Sequence, residues 1–374
     1  MIKPIALLDM SLDELQNLLQ SWGEPAYRAD QVWSRLYQKL AASFDEMSEL
    51  PKALREKLAL ETVIGRLSPR AEQRSSDGQT RKLLFVSPDG AQVESVLMGY
   101  TRRRTTCIST QAGCAMNCSF CATGQGGFQR NLTSGEILEQ VLFFARELAI
   151  SNPQHLHCTS PLGSPHPWEI PGAWGKVQVS PISNIVFMGM GEPFANYDHV
   201  MAAIRRLNDP QGFNFGARRM TVSTVGLVQG IHKLATEDIQ INLAVSLHAA
   251  TDELRNQLVP INQRYPLDVL MPAVYEYIQR THRRVSLEWA LIEGVNDTPA
   301  QAHALAKRIK GMLCHVNLIP LNPTSGYPGA ASTRERIAAF RAVLEANGIP
   351  NTLRLRRGID IQAGCGQLKA AVTD

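Results

Sequence analysis

Apolar, strand-like runs alternating with helix-periodic segments from about residue 105 onward predict an α/β fold. Two further observations narrow the class. Six or so such units follow one another, which suits an open or closed α/β barrel with its chemistry at the C-terminal strand ends. A short stretch of helical character, residues 1 to about 60, precedes them. A doubly wound open sheet is the competing architecture.

The helical stretch is justified residue by residue. Ser11 and Glu14 form a capping-box pattern ahead of an apolar-periodic run that stops at Gly23. After Pro25, the residues Tyr27, Val32, Trp33, Leu36 and Leu40 recur at helical spacing, with Arg28 and Lys39 facing away. Residues 61–104 form a β-rich connecting segment in which "KLLFVS" and "QVESVLM" flank the turn signal "PDG". Residues 105–374 then carry the candidate strands "TTCIST", "NIVFMGM", "RMTVST", "INLAVSL", "RVSLEWALI", "CHVNLIPL" and "TLRLR". The clearest helix between them follows a second capping box, Thr133 with Glu136; others are predicted near 197–208, 266–281 and 298–311. Residues 151–180 interrupt the rhythm with five prolines and neither period, so they read as a long insertion loop. Its His155, His157, Cys158 and His166 have irregular spacing, which favours incidental loop residues over a metal site.

Composition excludes some classes. Hydrophobic residues make up 44% and charged residues 19% of 374, which is ordinary for a globular protein, and no apolar run is long enough to cross a bilayer. The N-terminus lacks a signal-peptide pattern, so a cytoplasmic protein is expected. A net charge of +4 permits an anionic partner without requiring one. Two local clusters say more: Arg102, Arg103 and Arg104 before Cys107, and Arg354, Arg356 and Arg357 before Cys365.

Seven cysteines is an odd number, and three of them fall in "GCAMNCSFC" as Cys114, Cys118 and Cys121. In a reducing compartment such crowding points to metal or redox chemistry. Four thiolates close a tetrahedral zinc site, whereas three on a cubane iron–sulfur cluster leave one iron open. Zinc with a distant fourth ligand, or small core residues, are the alternatives that spacing leaves standing.

The spacing C-x3-C-x2-C with Phe120 before the last cysteine resembles the signature of radical S-adenosylmethionine (SAM) enzymes. More of the chain carries a narrower resemblance. "VESVLM", "TTCISTQAGCAMNCSFCATGQGGFQRNLTSGEI", "VFMGMGEPFANYD", "SLHAATDELRNQLVPIN", "LIEGVNDT", "LIPLNP" and "RRGIDIQAGCGQL" together resemble the RlmN/Cfr family of RNA adenine methyltransferases. Within it the chain is more similar to the branch that methylates carbon 2 of adenine in 23S rRNA and tRNA (RlmN) than to the branch that methylates carbon 8 (Cfr).

That resemblance implies a radical SAM partial (β/α)6 barrel with a small N-terminal helical RNA-binding domain. It implies a [4Fe-4S] cluster on Cys114, Cys118 and Cys121, and two SAM molecules per turnover. The SAM contacts it implies are Gly191, Glu192, Ser223, Ser246, Leu247, His248 and Asn322; Val225 stands where the family commonly has serine. Cys365 matches the cysteine that carries the methyl group, Cys107 its partner in a transient disulfide, and Glu94 the proton acceptor. Gly364 and Gly366 suggest a mobile, open backbone around Cys365. The implied partners are 23S rRNA, tRNA and a reduced flavodoxin- or ferredoxin-like electron donor, with the chain a monomer away from membranes. A carbon 8 methyltransferase and a zinc-stabilised RNA-binding protein without catalysis are the alternative functions.

Overall fold

The computed structural model describes residues 4–101, 103–151, 182–354 and 356–369. Arg102 and the histidines and cysteine of the predicted insertion loop lie outside them. At the N-terminus, β1 (Ile5–Ala6) pairs in parallel with β2 (Thr62–Val63), and between them run α1 (Leu12–Ser21), α2 (Tyr27–Tyr37) and α3 (Lys52–Glu61). The first capping box forms: Glu14 N–H donates to Ser11 Oγ at 3.2 Å and Ser11 N–H to Glu14 Oε2 at 2.6 Å. Val32, Trp33 and Leu36 face the core as their spacing predicts, but Tyr27 is exposed, because it occupies the first helical position and Arg28 lies over its ring.

Strands β3 (Ser68–Arg74), β4 (Thr80–Val86), β5 (Gln92–Tyr100) and β6 (Arg103–Cys107) pair antiparallel, each with the next. After β6 the chain makes a small hairpin, β7 (Gln111–Gly113) with β8 (Phe128–Asn131), that brackets the short helix α4 (Ala122–Gln125). Six β/α units then build the main body. Helix α5 (Ser134–Ser151) leads to β9 (Asn184–Phe187), α6 (Tyr197–Asn208) to β10 (Met220–Thr224), and α7 (Val228–Leu234) to β11 (Asn242–Ser246). Helices α8 (Asp252–Leu258) and α9 (Leu267–Thr281) precede β12 (Val285–Leu291), α10 (Pro299–Arg308) precedes β13 (Cys314–Pro320), and α11 (Arg334–Ala346) precedes β14 (Asn351–Leu353).

Within the ten-stranded sheet every pairing from β6 through β9 to β14 is parallel, and these strands lie side by side in chain order. A doubly wound sheet would reverse direction once; this one never does, so it curls as a barrel. With β3 at one edge and β14 at the other, the barrel is open. Side chains alternate across each strand. On β12, Val285, Leu287, Trp289 and Leu291 are fully buried in the core, with Trp289 against Phe340 of α11, while Glu288 and Ala290 line the inside of the barrel.

The helical stretch is joined to the barrel by polar contacts as well as by a shared apolar core. Trp33 Nε1 donates to Asp209 Oδ2 at 2.8 Å, Arg206 donates to the carbonyls of Leu8 and Asp9, and Glu139 Oε2 accepts from Arg66 N–H and Leu67 N–H at 2.8 and 2.9 Å. No helix among the described residues is long and apolar enough to cross a membrane.

Candidate active site

The three clustered cysteines occupy the loop between β7 and α4. Cys114 N–H donates to Gly127 O at 2.7 Å, Ser119 N–H to Leu258 O at 3.1 Å, and Cys121 N–H to Cys118 O at 3.1 Å. Asn117 turns the chain at φ 50°, a conformation that asparagine tolerates better than most residues. Burial, helped by the neighbouring thiols, pushes Cys118 well above the ordinary thiol range and Cys114 up to about 12. Thiols in this setting ionise only when a cation compensates them, which fits metal ligation. Among the described residues no three His, Cys, Asp or Glu side chains converge on a single ion. A cubane spreads its thiolates over separate irons, so this donor set fits the implied cluster. Phe120 packs edge-on against His248, ring centres 4.9 Å apart.

Above this loop a cavity opens at the C-terminal strand ends, lined by Cys118, Cys121, Gly191, Glu192, Ser223, Ser246, His248, Glu288, Asn322 and Cys365, among others. Gly191 has φ 101°, and a Cβ there would meet Gln111 Cβ at 2.6 Å, so only glycine fits. Glu192 bridges two strand ends: Oε1 accepts from Phe194 N–H at 3.0 Å and Oε2 from Val225 N–H at 2.9 Å. Val225 contributes through its backbone, so valine in place of serine leaves that bond intact. Burial pushes the Glu192 carboxyl up to about 7, against the pull of these donors.

Ser223 Oγ and Ser246 Oγ lie 3.5 Å apart. His248 takes a left-handed backbone, φ 60°, and its Nδ1 accepts from Ala290 N–H at 3.0 Å. Burial, then Arg255, pushes the imidazole down to about 3, so the ring is neutral with its proton on Nε2. Leu247 is different: its side chain is fully buried, its N–H donates to Glu288 O and its carbonyl accepts from Arg255 Nε, both at 3.0 Å. It is not a wall residue of the cavity. Arg255, itself fully buried, also donates to Val225 O at 2.6 Å and so ties the ends of β10 and β11 together.

Cys107 ends β6 and Cys365 follows β14, yet both line one small pocket with Asn322, Arg354 and Arg356. Cys365 is exposed; Cys107 is buried, and burial, then Cys365, pushes its thiol up to about 12. Cys365 in turn favours the charged form of the Arg354 guanidinium, more than any other neighbour does. The expected mobile backbone around Cys365 is not what forms. Gly364 N–H donates to Gln367 Oε1 and Gln367 N–H to Gly364 O, both at 3.0 Å, and Asn322 Nδ2 donates to Cys365 O at 3.1 Å. A Cβ on Gly364 would lie 2.6 Å from Asn322 Nδ2, and Gly366 has φ 80°. These glycines permit a tight, tethered turn.

Glu94 lines neither pocket. Its Oε1 is 2.9 Å from Lys82 Nζ, and its Oε2 accepts from Lys369 N–H at 2.9 Å, so it reaches the Cys365 segment through the backbone. At the pocket rim, the guanidinium groups of Arg103 and Arg357 lie 4.3 and 4.6 Å from the Tyr100 ring centre. Among the wall residues that no motif marks is the acidic Glu288, whose only signal is a lone charge inside the apolar run "VSLEWAL".

Residues 5–64 match a family model described as the N-terminal domain of ribosomal RNA large subunit methyltransferases. Across 368 residues the chain is 51% identical to a Chloroflexus aurantiacus protein named "Probable dual-specificity RNA methyltransferase RlmN", covering 97% of this chain and 92% of that relative. It is 47% identical to "Dual-specificity RNA methyltransferase RlmN 1" of Myxococcus xanthus, covering 98% of this chain and 94% of the relative. The crystal structure of a radical SAM methyltransferase from Sphaerobacter thermophilus superposes with a TM-score of 0.89 at 47% identity, covering 98% of this chain and all of that one.

Proposed function

Because the chain belongs to the RlmN family of radical SAM RNA methyltransferases, we propose that it methylates carbon 2 of adenine. The substrates would be 23S rRNA at the peptidyl transferase centre and tRNA next to the anticodon, in the cytoplasm. The observation that carries this reading is the pairing of Cys107 with Cys365 in one pocket beside the cavity that Cys118 and Cys121 line.

Carbon 2 of adenine lies between two ring nitrogens and is electron-poor, so it does not attack a methyl sulfonium; the methyl group has to be parked on the protein first. Cys365 is the exposed thiol of the pair and takes the methyl on Sγ, with Arg354 lining the same pocket. Cys107 releases the product by attack of its thiolate on Cys365 Sγ: the S–S bond forms as the Cys365 Sγ–carbon bond breaks. The carbon leaves with that electron pair and takes up a proton to become the methyl group on the base, and an external thiol reductant would reopen the disulfide. Cys114, Cys118 and Cys121 would hold a [4Fe-4S] cluster. Gly191, Glu192, Ser223, Ser246, the backbone of Leu247, His248 and Asn322 would bind SAM, two molecules per turnover. When bound, cluster and SAM supply the electron, the carbon radical and the methyl group. Glu94 is the proposed proton acceptor, coupled to the Cys365 segment through Lys369. A reduced flavodoxin- or ferredoxin-like protein would deliver the electron, and Arg103, Arg104 and the helical stretch would hold the RNA.

Mass spectrometry of digested rRNA and tRNA should find 2-methyladenosine; finding 8-methyladenosine instead would refute the regiochemistry. In Cys107→Ala a covalent protein–RNA adduct should accumulate, and in Cys365→Ala none should form. Normal turnover by either variant would sink the two-cysteine mechanism.

A further inference from the structure

Glu288 is a buried carboxylate, 3% exposed, for which the mechanism above has no use. It stands on β12 in register with Ser246 of β11 and Asn317 of β13, and it faces the cavity. Oε1 is satisfied, accepting from Asn317 Nδ2 at 2.8 Å. Oε2 is buried and accepts no hydrogen bond; its nearest cation, Arg354 Nη1, is 3.8 Å away. A buried acceptor left open in a cavity wall calls for a donor from whatever fills that cavity. Asn317 fixes the carboxylate plane, so the direction in which Oε2 asks for that donor is set before any ligand arrives.

Two adenines visit this site, one belonging to SAM and one to the RNA, and each offers an exocyclic amino group. The direction of Oε2 separates them. The groups proposed for the methionine end of SAM, Gly191, Glu192 and the cysteine loop, belong to strand ends other than β12. Glu288 lines the larger cavity beside Ser246 and not the small pocket itself, but its open Oε2 faces Arg354, which lines both and stands with Cys365, where the base has to meet the methyl carrier. Resting on the functional reading above, we propose that Glu288 recognises the 6-amino group of the substrate adenine through Oε2. It is thus a specificity-determining residue that selects an amino over an oxo group at carbon 6.

The consequence is a directional switch. In Glu288→Gln, Asn317 keeps the amide oxygen, and the amide nitrogen then faces carbon 6 as a donor. A 6-oxo base becomes the better match. A single hydrogen bond to a charged group is worth about tenfold to a hundredfold in binding.

The test uses the cluster-loaded protein and RNA substrates carrying adenosine, inosine or purine riboside at the target position. Wild type should prefer adenosine to purine riboside, which lacks the amino group, by at least about tenfold in both kcat/KM and oligonucleotide affinity. Glu288→Gln should lower the adenosine-to-inosine ratio by at least about tenfold. SAM-dependent methylation of Cys365 without RNA should stay within about twofold of wild type, because that half-reaction needs no substrate base. Equal handling of adenosine and purine riboside by wild type overturns the proposal without any variant. So does an unchanged ratio in Glu288→Gln, or a parallel loss of RNA-independent Cys365 methylation, which would assign Glu288 to the SAM adenine. A wild type that methylates Cys365 but makes no 2-methyladenosine overturns the parent reading, and this one with it.

Discussion

Cys107 and Cys365 share a pocket but not an environment. Cys365 is exposed, whereas burial pushes the Cys107 thiol up to about 12. Iodoacetamide at pH 7 should therefore label Cys365 in the folded protein and spare Cys107, with both labelled after denaturation; peptide mass spectrometry reads the pattern. Equal labelling would contradict the burial of Cys107. At this scale the sequence was legible where a residue type announces its chemistry. The three clustered cysteines stand out by their spacing, whereas Cys107, Cys365, Glu192 and His248 are marked only by the family resemblance. It was silent where function depends on which strand face a residue takes. Glu288 and Leu247 each lie in or beside apolar runs, and only the pleat decides that Glu288 meets the cavity while the Leu247 side chain goes to the core.

Elements carry their own tests. Glu139 on α5 accepts from two backbone N–H groups of the segment after β2, and burial pushes its carboxyl from 4.5 up to about 7. A raised carboxyl favours the folded state below pH 4.5, and that advantage is lost as pH rises through 7. Glu139→Gln keeps an acceptor oxygen without the charge. Wild type should thus lose stability relative to the variant between pH 4.5 and 7, by on the order of 2 kcal/mol, in thermal melts across that range. Gly191→Ala would force a Cβ to within 2.6 Å of Gln111 Cβ at φ 101°. It should cost about 2 kcal/mol or more and abolish SAM binding, measurable by calorimetry. The capping boxes at Ser11 and Thr133 were readable because their bonds are local, and both form. Strand β3 was not readable: all seven residues are exposed, so no apolar alternation marks it, and only pairing with β4 makes it a strand.

At the scale of the whole molecule, one apolar core runs from Leu15 and Trp33 through Leu287 to Phe340. The helical stretch and barrel should therefore unfold in a single transition. Trp33→Phe, which deletes the indole bond to Asp209, should lower its midpoint by an amount worth about 1 to 2 kcal/mol, and a separate early transition in calorimetry would contradict the shared core. The one-way winding of the sheet also has a consequence in time. Glu94 and Lys369, 275 positions apart, meet beside a pocket whose two cysteines come from the first strand of the barrel and from the segment after its last. A chain emerging from the ribosome makes the cysteine loop early and Cys365, the proposed methyl acceptor, late, with tens of seconds between them at roughly 5–20 residues per second. Until Cys365 is synthesised, a nascent chain can build the cysteine loop but lacks the thiol proposed to carry the methyl group.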